Sequence, residues 1–294
     1  MSEDLGARDV ATLLRLESCG GGNFRSPLNE RNLNDRVYGG QVLGQLVWAA
    51  MSTVEPQRRP TMMQMVFLQG ARFDDPIDYA VTALQDGKRF SSRQVLGSQH
   101  GRRVAQAHVS FQVPSTAPGH QCGPRGPVPS PEGLAGPREL HASLRTRLDL
   151  TGYGAAAGAS PIDTRFLDAE QELFPSAPGT PLRFWLRIAQ PLPAGDARLH
   201  AAALAYLSDW WLNYTSLAPY VSQGGPPTYY VASLNHSIWF HAPCRADEWL
   251  LCIAQSSWAG AGRGLSTAQI YAEDGRLVAS TAQESLQIAK DAVS

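Results

Sequence analysis

The feature that most limits what this chain can fold into is an internal echo. A glycine pair opens "GGQVLGQLVWAAMSTV", in which Val42, Leu46, Ala49 and Ala50 fall at helical spacing. Strand-like segments follow in "MQMVFLQG", "DYAVTALQDGK", "FSSRQVLGSQHG" and "RRVAQAHVSFQV". Far downstream the order recurs: "LHAAALAYLSDWWLNYTSL" is a second helix candidate, trailed by "YYVASLNHSIWFH", "EWLLCIAQSSWAG", "GLSTAQIYAEDG" and "RLVASTAQESLQI". Gly101 and Gly275 occupy matching turns. One long helix followed by several antiparallel strands, twice over, predicts an α+β fold in two tandem units. Between the units, "PSTAPGHQCGPRGPVPSPEGLAGP" is crowded with proline and glycine, which remove backbone donors and restrict their neighbours. The reading is an N-terminal unit over 1–113, a connector over 114–180 and a C-terminal unit over 181–294, where the apolar alternation of "LRFWLRIAQPL" restores order.

Composition removes several classes of function. With 294 residues, 43% apolar and 17% charged, the chain has ample material for a buried core. A formal charge of −1 argues against electrostatic binding of nucleic acid. Cys19, Cys122, Cys244 and Cys252 show neither zinc spacing nor a disulfide framework, which predicts reduced, individually buried thiols. His100, His108, His120, His141 and His200 lack ligand spacing, and His236 and His241 should face opposite sides of a strand, so no metal is expected. "MSEDLGARDV" is not a signal peptide, no stretch suits membrane insertion, and "DAVS" is not a peroxisomal address; a cytoplasmic protein is expected.

The two copies of the last strand differ instructively. In "RVAQAHVSFQV" one face is Ala105, Ala107, Val109, Phe111 and Val113. The same register places Ala279, Thr281, Gln283 and Ser285 of the later copy toward its helix. An inward, unpaired amide costs about 1–3 kcal/mol, so Gln283 either has polar partners or sits beyond a bulge that turns it to solvent. Candidate partners in the same half are Asp209, which interrupts "AALAYLSDWWL", and Ser233 with Asn235 and His236 in "ASLNHSIWFHAP". Each also has a plain alternative: a helix-end residue for Asp209, a polar strand start for the others.

"RVYGGQVLGQLVWAA", "FWLRIAQPL", "LAYLSDWWL", "SLNHSIWFHAPCRADEWLLC", "SSWAGAGRGL" and "DGRLVASTAQESLQI" together resemble the type II, TesB-like acyl-CoA thioesterases, in consistent order and over nearly the whole chain. The resemblance implies two tandem hotdog repeats, a double hotdog in which a curved antiparallel sheet wraps a helix. It implies hydrolysis of fatty or related acyl-CoA thioesters to free acid and CoA, with Asp209, Ser233 and Gln283 holding and activating water. No cofactor is implied, since CoA is part of the substrate and product. Gly262 and Gly264 become oxyanion-donor candidates, and Trp210, Trp211 and His236 acyl-pocket candidates. Arg93, Arg102, Arg103, Arg245 and Arg263 are candidates for the CoA phosphates, and a homodimer or homotetramer would be ordinary. The chain departs from the family pattern at Gln64, Gln69 and Asn235. Two rivals stand beside this reading: a non-catalytic acyl-CoA-binding module and an enoyl-CoA hydratase. The absence of a G-x-S-x-G elbow disfavours a serine hydrolase.

Overall fold

The computed structural model describes residues 9–153, 160–222 and 229–289. Twelve strands form a single sheet in the order β1-β2-β4-β5-β6-β3-β9-β12-β11-β10-β8-β7. The first half supplies β1 (Glu17–Gly20), β2 (Asn23–Arg25), β3 (Arg59–Phe67), β4 (Asp78–Asp86), β5 (Phe90–Gln99) and β6 (Arg102–Gln112). The second supplies β7 (Ile162–Phe166), β8 (Leu182–Ile188), β9 (Tyr229–Phe240), β10 (Leu250–Gly260), β11 (Arg263–Ala272) and β12 (Leu277–Ala289). The halves meet where β3 runs antiparallel to β9, pairing Met63 with Ile238 and Met65 with His236. Read outward from that seam, the strand order of one half mirrors the other: β3, β6, β5, β4 against β9, β12, β11, β10. This is the double hotdog.

Among the described residues the helices are α1 (Val10–Leu14), α2 (Gly39–Met51), α3 (Ala142–Leu150), α4 (Ala169–Leu173), α5 (Ala197–Ser208) and α6 (Leu212–Val221). The apolar set Val42, Leu46, Ala49 and Ala50 is buried, as the helical spacing requires. α2 lies antiparallel against α5 at very short range. A Cβ on Gly40 would come within 2.4 Å of the Tyr206 carbonyl oxygen, and one on Gly44 within 2.8 Å of that of Ala202. Glycine is therefore required at both places for the helices to approach. The start of α2 consequently meets the end of α5, and Arg198 at the start of α5 donates to Ser52 Oγ at the end of α2, 3.0 Å away.

Three expectations need correction. The stretch 114–180 is not all connector: α3, β7 and α4 lie in it, and β7 pairs with β8, burying Ile162, Thr164 and Phe166. Five residues behind Pro161 are too short for the alternation to stand out against the glycine-rich sequence before them. The second helix candidate is two helices, because Trp211 adopts a left-handed backbone (φ 65°, ψ −3°) between α5 and α6. Of the four unpaired thiols only Cys252 is buried; Cys19 and Cys122 are exposed. The hairpin of β1 and β2 escaped the pattern since its residues are short, polar and mostly exposed.

Candidate active site

Asp209 caps the C-terminus of α5 and is buried, 6% exposed. Burial raises its carboxyl from the usual 3.8 to about 6, opposed by the Gln283 amide, the Gly40 backbone N–H and the Ser233 hydroxyl. Among the described residues its Oδ1 has no hydrogen-bond partner. Gly39 makes room for the other oxygen, since a Cβ there would stand 2.8 Å from Asp209 Oδ2. The carboxylate thus faces the first turn of α2, whose amides have no intrahelical partner and favour negative charge.

Gln283 lies on β12 with no exposure, pointing inward as the strand register requires. It crosses to His236 on β9, and its Oε1 is 2.5 Å from His236 Nδ1. Its Nε2 donates to Asn213 Oδ1 at 2.9 Å and to Ser233 Oγ at 3.2 Å. Asn213 Nδ2 also donates to Ser233 Oγ, at 3.1 Å. Strict alternation would put Ser233 and His236, three residues apart, on opposite faces of β9. A bulge resolves the conflict: Glu284 pairs with Asn235 and Ser285 with Ser233, so Leu234 is the extra residue and Ser233 swings inward.

The polar stripe of β12 is matched by α6. Ser285 Oγ donates to Asn213 Oδ1, and Gln287 Nε2 donates to Ser216 Oγ at 2.5 Å. Asn213 and Ser216 are three apart on one helix face, and α6 is aimed this way by the turn at Trp211. Asn213 carried no marked signal in the sequence, because its role depends on that turn.

Asp209, Ser233 and Asn213 line a cavity of about 570 Å³ between the halves. Its apolar wall includes Val42, Phe67 and Val104 of the first half and Trp210 and Trp211 of the second. Trp211 packs edge-on against Phe166 and Tyr214 and stacks on Tyr153, while Trp210 Nε1 donates to Thr164 Oγ1 at 2.9 Å. The three residues expected to act together therefore do come together, and both tryptophans reach the cavity.

Other expected positions fall elsewhere. His236 lies behind Gln283 with no exposure and is not on the cavity wall, so the Asp–His pairing a hydratase would use is not formed. Gly262 sits in the β10–β11 turn with φ 74°, and Gly264 gives space to Ser216 and Gln287; neither lines the cavity. Arg93 is a buried structural cation held by Asp86 at 2.8 Å. Arg245 pairs with Asp247 and Glu248, and Arg263 with Glu284. Arg102 and Arg103 are exposed at the start of β6. Asn235 faces away from the site and donates to Glu284. Gln64 is exposed on β3, whereas Gln69 lines the cavity together with Arg31 and Arg36. Arg36 has no ion-pair partner among the described residues. Among the described residues no cluster could hold a metal, and no helix is long and apolar enough to cross a membrane.

Comparison with known proteins agrees with this geometry. The family profile "Acyl-CoA thioesterase N-terminal domain" matches residues 29–112, and "Acyl-CoA thioesterase C-terminal domain" matches residues 132–287. Acyl-coenzyme A thioesterase 8 of Mus musculus is 30% identical over the whole chain and 93% of its own length. Acyl-CoA thioesterase 2 of Haemophilus influenzae is 31% identical over 93% of this chain and 95% of that one. The crystal structure of acyl-CoA thioesterase II TesB2 from Mycobacterium marinum superimposes with a TM-score of 0.79 at 29% identity, covering 97% of this chain and all of that one. With both domain profiles matched in order along one chain and the paired hotdog halves in place, this protein belongs to the acyl-CoA thioesterase family.

Proposed function

We propose that the chain hydrolyses acyl-CoA thioesters by water attack directed by Asp209, Ser233 and Gln283. The observation that carries the reading is a buried carboxylate with an unpartnered oxygen, beside an amide and a hydroxyl, on the wall of an apolar cavity. A water on the unpartnered Oδ1 of Asp209, a carboxylate that Ser233 and Gln283 hold in place, attacks the thioester carbonyl carbon and gives its proton to Asp209. The tetrahedral intermediate collapses with cleavage of the C–S bond, and the CoA thiolate takes the proton back from Asp209. A carboxyl near 6 suits that exchange at neutral pH, being ionised enough to accept and acidic enough to return the proton. With the Gly40 N–H engaged by Asp209, the N–H of Gly39, the first residue of α2 and on the cavity wall beside Asp209, is the oxyanion donor in this reading, which is typically worth about 3 kcal/mol. The acyl chain occupies the aromatic end of the cavity, and Arg36 meets the CoA phosphates.

Four unpaired thiols, two of them exposed, suit a reducing compartment such as the cytoplasm. Val66 and Trp239, exposed on the outer face near the β3–β9 seam, suit a homodimer or homotetramer formed through that face. The test of function is free-thiol release from acyl-CoAs graded from acetyl to palmitoyl, with wild type and Asp209→Asn in parallel. Release by wild type alone supports the reading and supplies the chain length. Binding without release from any substrate would establish the non-catalytic module instead.

A further inference from the structure

Asp209, Ser233 and Gln283 are embedded in polar side chains that the mechanism above leaves unused. We propose that His236 and Asn213 are positioning residues, which together hold the Gln283 amide in one of its two flips and so turn the Ser233 proton toward Asp209. The inference rests on the thioesterase reading of this site and adds the groups that set its orientation.

The hydrogen-bond count fixes the arrangement. Asn213 Oδ1 accepts from Gln283 Nε2 and from Ser285 Oγ, so the Asn213 amide has one sensible orientation, with Nδ2 donating to Ser233. Ser233 Oγ then accepts twice, from Asn213 and from Gln283. A hydroxyl has two lone pairs and one proton. With both lone pairs engaged, the proton points away from these amides, and Asp209 is the carboxylate beside it. Reversing both flips would spend the Ser233 proton on an amide oxygen. It would also turn the Gln283 carbonyl toward an ionised Asp209.

His236 selects between the two arrangements. Its Nδ1 faces Gln283 Oε1 at 2.5 Å, which requires the ring proton on Nδ1. Nε2 must then accept from Ser208 Oγ, 2.9 Å away. Ser208 also reaches the Ala205 carbonyl oxygen at 2.8 Å, so its proton is contested. If Ser208 served Ala205 alone, the proton would favour Nε2 and the chain of amides would reverse. Burial holds the imidazole down to about 4, so it is neutral and carries a single ring proton. Packing does not demand this histidine, because the matching pair in the first half, Met63 opposite Val109, is fully buried and apolar.

The experiment compares His236→Met and His236→Asn in wild type and in Gln283→Ala, with melting curves for each variant. His236→Met should lower kcat roughly tenfold to a hundredfold with KM within about twofold. His236→Asn, which returns an amide N–H near the place of Nδ1–H, should recover most of the loss. In Gln283→Ala, His236→Met should cost nothing further, because the residue acts through that amide. Equal loss in both backgrounds, or no recovery by asparagine, would overturn the proposal and leave His236 a packing residue. Asn213→Ala should lower kcat at constant KM; a change in KM alone would reduce Asn213 to part of the cavity wall. Should His236→Met not fold, imidazole 15N spectra of the wild type decide the tautomer. Nδ1 protonated is expected, and a protonated Nε2 refutes the arrangement. That spectrum also stands if the wild type releases no thiol, in which case the thioesterase reading fails separately.

Discussion

The antiparallel pair α2 and α5 has two ends, and they are built alike up to the point where chemistry begins. At one end α5 closes on Asp209 against the first turn of α2, over His236 and Gln283 of β9 and β12. At the other end α2 closes on Ser52 against the first turn of α5, over Met63 and Val109 of β3 and β6. There Arg198 spans from Ser52 to the face of Trp48, and the strand pair is apolar. The fold therefore offers two equivalent stages and equips one. What the equipped end has in addition is α6, whose Asn213 and Ser216 meet the polar stripe of β12. A buried glutamine is tolerable only where a neighbouring element satisfies it. The amide and the second helix belong together.

The largest way to break the comparison is to make the equipped end unable to ionise. Asp209→Asn should reduce turnover by about two orders of magnitude or more. It should also stabilise the protein at neutral pH and above. The carboxyl rises from 3.8 to about 6 on folding, so the native state holds its proton more tightly than the unfolded chain between those values. Stability contributed by the protonated acid is present below the unfolded value and lost as pH climbs through the folded one. By pH 8 that loss amounts to about 3 kcal/mol. Asparagine never pays it. Melting curves should place the variant above wild type at pH 8 and level with it near pH 3. For the wild type, kcat/KM should fall on the acid side with a midpoint near 6, absent a steeper group. An unchanged turnover in Asp209→Asn would detach the carboxylate from the site.

Next comes conversion of the equipped strand into its twin. Gln283→Val installs the side chain of Val109 and leaves Asn213 Oδ1 and His236 Nδ1 short of a partner. Turnover should drop roughly tenfold to a hundredfold, with stability lowered by about 1–3 kcal/mol. A loss confined to KM would make Gln283 a residue that only binds substrate.

Sequence pattern carried the repeat, the strands from β3 to β6 and from β8 to β12, and the inward direction of Gln283, since these depend on periodicity and glycine turns. It also put Asp209 at an interruption in an apolar helix. It offered Ser233 only as one of three polar residues at the start of β9 and could not single it out by alternation, because the bulge at Leu234 changes the face; its catalytic role came from family resemblance. The break at Trp211 was equally hidden. A tryptophan at φ 65° opposes its local preference and persists because Phe166, Tyr153 and Tyr214 enclose the ring. Arg93 looked like a ligand for phosphate because charge in a sequence reads as surface, whereas its partner Asp86 lies on the adjacent strand.

A smaller effect on chemistry, though a larger one on the fold, is expected at that tryptophan. Trp211→Ala removes an aromatic wall from the cavity and should shift the acyl-length optimum upward, at a cost of about 3–5 kcal/mol in stability. An unshifted optimum in a weakened protein would assign the ring to packing alone.

The least effect on turnover, and the sharpest test of the comparison, comes from equipping the bare end. Val109→Gln copies the amide of Gln283 into β6, opposite Met63, where among the described residues no second helix brings an asparagine or a serine and the cross-strand Arg93 is already taken up by Asp86 and Thr53. The site lies at the other end of the helix pair, so kcat and KM should stay at wild-type values. Stability should fall by about 2–4 kcal/mol, from the unpartnered amide and the added volume together. Adding Met63→His gives the amide one partner and should return only part of that loss, because the Gln283 amide has three. If Val109→Gln alone were neutral, the bare end would already hold hidden polar capacity. Burial of an amide would then need no α6, and the contrast between the two ends would be one of history rather than of hydrogen bonding.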